Sequence, residues 1–241
     1  MIANYNYGVY LAESIESALS QSHPRVEVVV VDDGSKDNSL EVAARYPVLL
    51  LGQENHGVSA ARNLGARRAK GEYLVFLDAD DVLDRDYVSK CLATLLQATP
   101  SVAYAYTGMR CFGEENRLIM PRTFDPKALV HESFVNASAL VRRTAFDSVG
   151  GFDITWVLGH EDRELWIRML SKGFHGVLVP EPLLGYRRHQ ASRNDLSRRE
   201  LRHLRWRLRL SYPSLYWTKL LKDPLRTLIY WVKFRRFLLR R

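Results

Sequence analysis

Cysteine is scarce in this chain of 241 residues: Cys91 and Cys111 are the only two, and they stand far apart. Two isolated thiols build neither a disulfide framework nor a four-ligand zinc site, and they suit a reducing compartment. The first ten residues are polar and aromatic, without the basic stretch and apolar core of a secretory signal, so no leader is expected. No stretch reaches the roughly 20 apolar residues that cross a bilayer. His160-Glu161 lacks a second histidine at zinc-protease spacing, and no glycine-rich basic phosphate loop stands near the start. Internal repeats and low-complexity segments are absent as well.

What is present is the composition of a globular protein, 46% hydrophobic and 26% charged. The length suffices for one large α/β domain or two small ones without a covalent staple. Charge is unevenly placed. Residues 198–241 hold 14 Lys and Arg against 2 Asp and Glu, a net of +12, whereas residues 1–197 carry a net of −4. A basic tail therefore follows a slightly acidic body, which argues against nucleic acid as the partner of the folded body.

Along the first half, helical and strand patterns alternate. Gly8 to Ser22 places Val9, Leu11, Ile15, Ala18 and Leu19 at helical spacing, and Val26 to Val31 is a β-branched run that reads as a buried parallel strand. A helix over Ser35 to Tyr46, a strand over Val48 to Leu51, a helix over Gly57 to Lys70 and a strand over Tyr73 to Leu77 continue the rhythm. This βαβαβ order predicts an α/β fold with a doubly wound, mostly parallel central sheet, whose ligands sit at the carboxyl ends of the strands. Later, Val102 to Cys111, Phe134 to Arg142 and Val177 to Pro180 read as strands and Arg163 to Lys172 as a helix. Only Met1-Ile2-Ala3 precede the Asn4-Tyr5-Asn6 loop, so the first strand is either very short or incomplete in this reading.

Two acidic clusters end predicted strands. Leu77-Asp78-Ala79-Asp80-Asp81 gathers three carboxylates that repel one another unless a cation joins them, and Mg²⁺ or Mn²⁺ favours such oxygens together with substrate phosphates. The same aspartates can equally cap a helix starting near Asp84. Val31-Asp32-Asp33-Gly34-Ser35 can accept hydrogen bonds from a ribose or base, or simply start the next helix. Three further segments are equally two-sided. Glu161-Asp162 lies at a helix start, where Glu161 can raise the proton affinity of Asp162 enough for a general base, or both can cap. Tyr186-Arg187-Arg188-His189 can neutralise a diphosphate or complete a metal shell, or be a solvated basic loop. Arg62, on a helix facing the acidic strand ends, can pair with Asp33 or contact a nucleotide, or lie on an ordinary amphipathic helix.

Taken together and in order, these segments resemble the family 2 glycosyltransferases of the GT-A fold. The resemblance is carried by Asn4-Tyr5-Asn6, Val30 to Asp37, Gly57 to Gly65, Gly71 to Asp81, Gly150-Gly151-Phe152-Asp153, Glu161-Asp162 with Leu165 to Arg168, and Tyr186 to His189. It covers roughly residues 1–195, and residues 1–197 are taken as the catalytic domain. It implies an inverting glycosyltransferase using a nucleotide-diphosphate sugar, a UDP-sugar by expectation, with a divalent metal (Mn²⁺ or Mg²⁺) as cofactor. Tyr5 and Asp33 would hold the base, Arg62 would lie near the nucleotide, and Asp80 helped by Asp78 would bind the metal. His189 would complete the metal or diphosphate contacts, with Glu161 and Arg187 beside the substrate, and Asp162 would deprotonate the acceptor. The acceptor expected is a glycan or lipid-linked glycan of the cell surface. The family's usual Pro-Thr before the tyrosine reads Ala3-Asn4 here.

In the tail, Asp223-Pro224 is a helix start. Leu221, Leu225, Leu228, Ile229, Val232 and Leu239 then share one face, with Trp217, Tyr230, Trp231 and Phe234 beside Lys233, Arg235 and Arg236. This pattern suits a helix on an anionic membrane surface, each basic residue adding on the order of 1 kcal/mol. Packing on the catalytic domain, or an acidic partner, is the alternative. From Arg198 to Leu210 neither period dominates. The expected location is cytoplasmic, peripheral on the cytoplasmic membrane face. Three rivals remain: a nucleotidyltransferase, disfavoured by the missing phosphate loop; a truncated or non-catalytic relative, disfavoured by Asp80, Asp162 and His189 together; and a tail that binds nucleic acid.

Overall fold

The computed structural model describes residues 1–157, 159–189 and 198–216. The chain divides into two compact units, Met1–Asp195 and Leu196–Arg241. In chain order the first carries β1 (Ile2–Asn4), α1 (Gly8–Leu19), β2 (Val29–Asp32), α2 (Ser39–Ala43), β3 (Leu49–Gly52), α3 (Val58–Arg68), β4 (Tyr73–Leu74), β5 (Leu77–Asp78), β6 (Val82–Leu83) and α4 (Tyr87–Gln97). There follow β7 (Val102–Gly113), β8 (Arg117–Ile119), α5 (Pro126–His131), β9 (Leu140–Arg142), α6 (Arg143–Ser148), α7 (Glu161–Ser171) and β10 (His175–Arg188). The second unit carries α8 (Arg198–Ser211) and α9 (Pro213–Tyr216).

The predicted parallel sheet is present in the order β3-β2-β1-β5, every pairing parallel. Its strands are covered on both faces, which is why β2 reads as an unbroken apolar run. Val29 and Val31 pack with Ala61 of α3, while Val30, Ile2 and Leu77 pack with Leu11 and Ile15 of α1. This is the alternation that a strand imposes on successive side chains. A second, mixed sheet runs β4-β9-β7-β10-β6, with β8 on β7. Here β10 lies parallel to β7 and the remaining pairs are antiparallel.

Several expectations change. The run Tyr73 to Leu77 is not one strand. Its first part pairs β9 in the mixed sheet and its last part pairs β1 in the parallel one, with Phe76 fully buried at the crossing. Phe76 meets Phe146 there at a tilt, 5.0 Å between ring centres, and Phe152 edge to face at 4.9 Å. β1 is indeed short and interior, between β2 and β5, and Met1 prolongs it by accepting from Leu77 N at 2.9 Å. The helix expected over Ser35 to Tyr46 shrinks to α2, because residues 35–37 are held in loop hydrogen bonds. Of Phe134 to Arg142 only β9 is strand.

The strand expected over Val177 to Pro180 is longer: β10 continues past Pro180 and Pro182, and its register against β7 shifts between Val179 and Leu184. An irregularity there spares the ladder the donors that proline lacks. Arg198 to Leu210, of no clear period, lies in α8, with Leu204 and Leu208 buried one turn apart. Arg and Leu are good helix formers, so propensity decides where the pattern is blurred. The helix expected after Asp223 lies outside the described residues.

Candidate active site

The acidic run follows β5. Ser14 Oγ of α1 donates to the Asp78 carbonyl at 3.3 Å, and the Asp81 amide donates to the same oxygen at 3.1 Å, so the run turns tightly at the strand end. β6 then pairs antiparallel with β10, Leu83 opposite Leu184 and Val82 opposite Gly185. That pairing carries the end of β10 onto the acidic run. His189 Nε2 lies 3.0 Å from Asp80 Oδ2. The Arg187 amide donates to the buried Asp81 carboxylate at 2.9 Å. Burial raises the proton affinity of Asp80, with Asp78 adding to it, and the His189 hydrogen bond works the other way. Asp81 is pushed well up by burial and then by Asp78 and Asp80. The run is thus short of positive charge.

Arg62, buried on α3, faces this run. Its Nη2 lies 2.6 Å from Asp78 Oδ1 and its Nη1 lies 2.8 Å from Glu161 Oε1, with the guanidinium 5.1 Å above the Phe152 ring. The neighbouring Asn63 bonds Phe152 twice, donating to its carbonyl and accepting from its amide, each at 2.8 Å. Gly159 and His160 both have positive φ, 101° and 61°, and turn the chain into α7. The first turn of α7 thereby points Glu161 back at Arg62. Next to it, Asp162 is raised to about 7, by burial first and by Glu161 second, against the hydrogen bond from the Arg163 amide and the charge of Arg62. A carboxyl poised near neutrality is suited to accept a proton.

At the neighbouring strand end, Asp33 does not cap a helix. Its Oδ1 accepts from Gln53 Nε2 at 2.6 Å and the His56 amide at 2.9 Å, and its Oδ2 from the Gly57 amide at 2.8 Å. A carboxylate has about four acceptor positions, so one remains on Oδ2. Asp32 instead closes the local turn, accepting from Asn4 Nδ2, Ser35 N and Ser35 Oγ. Ser35 Oγ in turn accepts from the amide of Asn6, a residue with φ of 56°. Tyr5 stands between these anchors, 39% exposed. Gly34 has φ of 78°, and a Cβ there would lie 3.0 Å from Asn55 N, so a side chain would be both strained and tightly crowded.

The sequence model of the family described as Glycosyl transferase family 2 matches residues 1–154. The chain belongs to that family. This glycosyltransferase is 28% identical over 194 residues to TuaG of Bacillus subtilis, whose name assigns it to teichuronic acid biosynthesis, with 76% of each chain covered. EpsE of the same organism is 29% identical over 191 residues, 74% of this chain and 68% of its own. Among solved structures, the mannosyltransferase PcManGT of Pyrobaculum calidifontis, in complex with GDP-Man and Mn²⁺, superposes with a TM-score of 0.63 at 21% identity. It covers 92% of this chain and 63% of its own. TarS 1–349 of S. aureus, in complex with UDP-GlcNAc, gives 0.63 at 19% identity, over 86% of this chain and 63% of its own. The glycosyltransferase thus has the GT-A fold and spans less than two thirds of either solved chain.

The residues singled out in the sequence fall into three groups. Asp78, Arg62, Glu161 and Asp162 form one network. Asp80 and His189 adjoin it through Asp78. Asp33 and Tyr5 follow β2 and β1, of which β1 pairs with β5 and β2 lies one strand further. Arg187, expected beside the substrate, makes its described contacts within the fold. Its Nε donates to the Asp80 carbonyl at 2.9 Å, its Nη2 pairs with Glu13 at 2.7 Å, and its guanidinium lies between the Tyr10 and Phe112 rings. Asn63, Phe152, Tyr10 and Glu13 were missed, since each is unremarkable in its own segment. Only the double glycine before Phe152 hinted at a turn that something must hold.

The residues present fit a divalent cation. The Asp80 carboxylate and the His189 imidazole, hydrogen-bonded at 3.0 Å, offer an oxygen and a nitrogen of the kinds that Mg²⁺ or Mn²⁺ would take beside substrate phosphates. Among the described residues no group of three or more His, Cys, Asp or Glu could hold a metal unaided.

Proposed function

We propose that this chain is an inverting, metal-dependent glycosyltransferase that moves a sugar from a UDP-sugar to a hydroxyl of a cell-surface glycan or lipid-linked glycan. The observation that carries the reading is the Arg62 bridge, which sets the proposed base next to the acidic strand end. Asp162 takes the proton of the acceptor hydroxyl. The acceptor oxygen bonds to the anomeric carbon from the face opposite the diphosphate, the bond to the diphosphate oxygen breaks, and the configuration inverts. Asp80 and His189 would hold the divalent ion, whose charge offsets that of the leaving diphosphate. Asp33 offers its remaining acceptor position to the base NH, and Tyr5 offers its exposed ring.

Teichuronic acid in the name of TuaG supports a cell-surface polymer as product, UDP-GlcNAc bound to TarS supports the donor class, and Mn²⁺ in PcManGT supports the ion. The basic, aromatic tail supports a site of action on the cytoplasmic face of the membrane.

The test is a panel of nucleotide sugars with and without Mn²⁺. Metal-dependent binding of a UDP-sugar, lost in Asp80→Ala, is expected. Unchanged binding in that variant sinks the metal assignment. Asp162→Asn should keep donor binding and lose transfer. A product with the donor's anomeric configuration rules out inversion.

A further inference from the structure

Arg187 is placed unlike a ligand-binding arginine. Its guanidinium carbon lies 4.7 Å from the centre of the Tyr10 ring and 4.4 Å from that of Phe112. The Tyr10 ring in turn lies 4.9 Å from the His189 imidazole, which also meets Tyr7 at 5.7 Å. The result is a stack from β7 through Arg187 and α1 to His189. The same arginine holds the acidic run at two points, its amide on the Asp81 carboxylate and its Nε on the Asp80 carbonyl. Glu13 of α1 takes Nη2. The β6–β10 register, carried two residues past Gly185, sets Arg187 opposite Asp80. One side chain therefore touches the backbone of Asp80 and the ring that backs His189.

We propose that Arg187, seated between Tyr10 and Phe112, is a positioning residue that presets the distance between the Asp80 carboxylate and the His189 imidazole for a divalent ion. This inference rests on the metal reading above. A guanidinium suits this place because its flat faces meet both rings while its edge donates in its own plane; an ammonium has no flat face and cannot make all of these contacts at once. Tyr10 acts through its ring, so phenylalanine replaces it and an aliphatic side chain does not.

The experiment measures uptake of Mn²⁺ at saturating UDP from the electron paramagnetic resonance signal of the free ion. It compares the wild type with Arg187→Lys, Arg187→Met, Tyr10→Phe, Tyr10→Leu and Asp80→Ala, each with its melting temperature. Groups that orient metal ligands change affinity about 10–100-fold when removed. Both Arg187 variants and Tyr10→Leu should lose at least ~10-fold in Mn²⁺ affinity, Tyr10→Phe should match the wild type, and Arg187→Lys should lose affinity even if its melting temperature holds. Uptake that Asp80→Ala abolishes while the Arg187 variants retain it overturns this proposal alone. No uptake by the wild type overturns the metal reading and this proposal with it. Should Arg187→Met fail to fold, the Tyr10 pair and Arg187→Lys decide the matter.

Discussion

Arg62 and Glu161 are 99 residues apart in the chain and 2.8 Å apart in the fold. The same guanidinium holds Asp78 at 2.6 Å, so one buried cation ties the strand that ends in the acidic run to the helix whose first turn carries the proposed base. Burial opposes its charge, yet Asp78 and Glu161 together raise its proton affinity above the ordinary value.

Arg62→Ala leaves Glu161 without its cation in a mostly buried setting. The expected loss of stability is roughly 2–4 kcal/mol, less than for a fully buried pair because the Asp78 side chain is 40% exposed. Urea denaturation measures it. A loss below about 1 kcal/mol shows the bridge to be ornamental.

Asp162 gives a pH dependence with a definite sign. As a base it must be ionised, so transfer should climb as pH rises through about 7 and level off above. Its folded proton affinity is raised, so its contribution to stability is complete below the ordinary aspartate value of 3.8 and is lost as pH rises through 7. Asp162→Asn should therefore be inactive, and its melting temperature should exceed the wild type's by more at pH 8 than at pH 4. An equal difference at both pH values contradicts the assignment.

The two adjacent glycines before Phe152 should differ. Both have positive φ, 81° at Gly150 and 73° at Gly151. A Cβ on Gly150 meets open space, whereas one on Gly151 comes 2.6 Å from Asn63 Oδ1. Gly150→Ala should cost only the left-handed strain of about 1–2 kcal/mol. Gly151→Ala should cost that and also break the Asn63–Phe152 pair, and thermal denaturation should rank it clearly below Gly150→Ala. Equal melting temperatures would mean that the asparagine gives way freely.

Asn63→Leu removes both hydrogen bonds to Phe152 while keeping the branched outline of the side chain. A loss of about 1–3 kcal/mol is expected, together with slower transfer, because Phe152 lies under Arg62. Stability and transfer rate measured on the same preparation check this. Full activity would separate the turn from the site.

The basic tail is tested by flotation with vesicles containing anionic lipid, using nucleic acid as competitor. Binding that salt weakens and nucleic acid leaves intact supports the membrane. Displacement by nucleic acid assigns the tail to the other partner.

Much of this molecule follows from local pattern. The apolar run of β2, the helices α1 and α3 and the acidic residues after β2 and β5 are set by side-chain alternation, helical spacing and chain order, which a sequence carries directly. Asp78, Asp80 and Asp162 stand out in the sequence as carboxylates at a strand end and a helix start, which need a cation, a cap or a proton, whereas His189 is singled out by the family resemblance. The rest depended on pairing at a distance. Tyr73 to Leu77 has the pattern of one strand, and only the two sheets on either side split it at Phe76. Arg187 has the charge of a diphosphate ligand, and only the Tyr10 and Phe112 rings, brought from α1 and β7, turn it inward. Sequence by itself determined which groups are available, since charge and periodicity are local. Tertiary structure alone decided which of them meet, because contacts such as Arg62 with Glu161 are made by the packing of elements and leave no mark on the residues between.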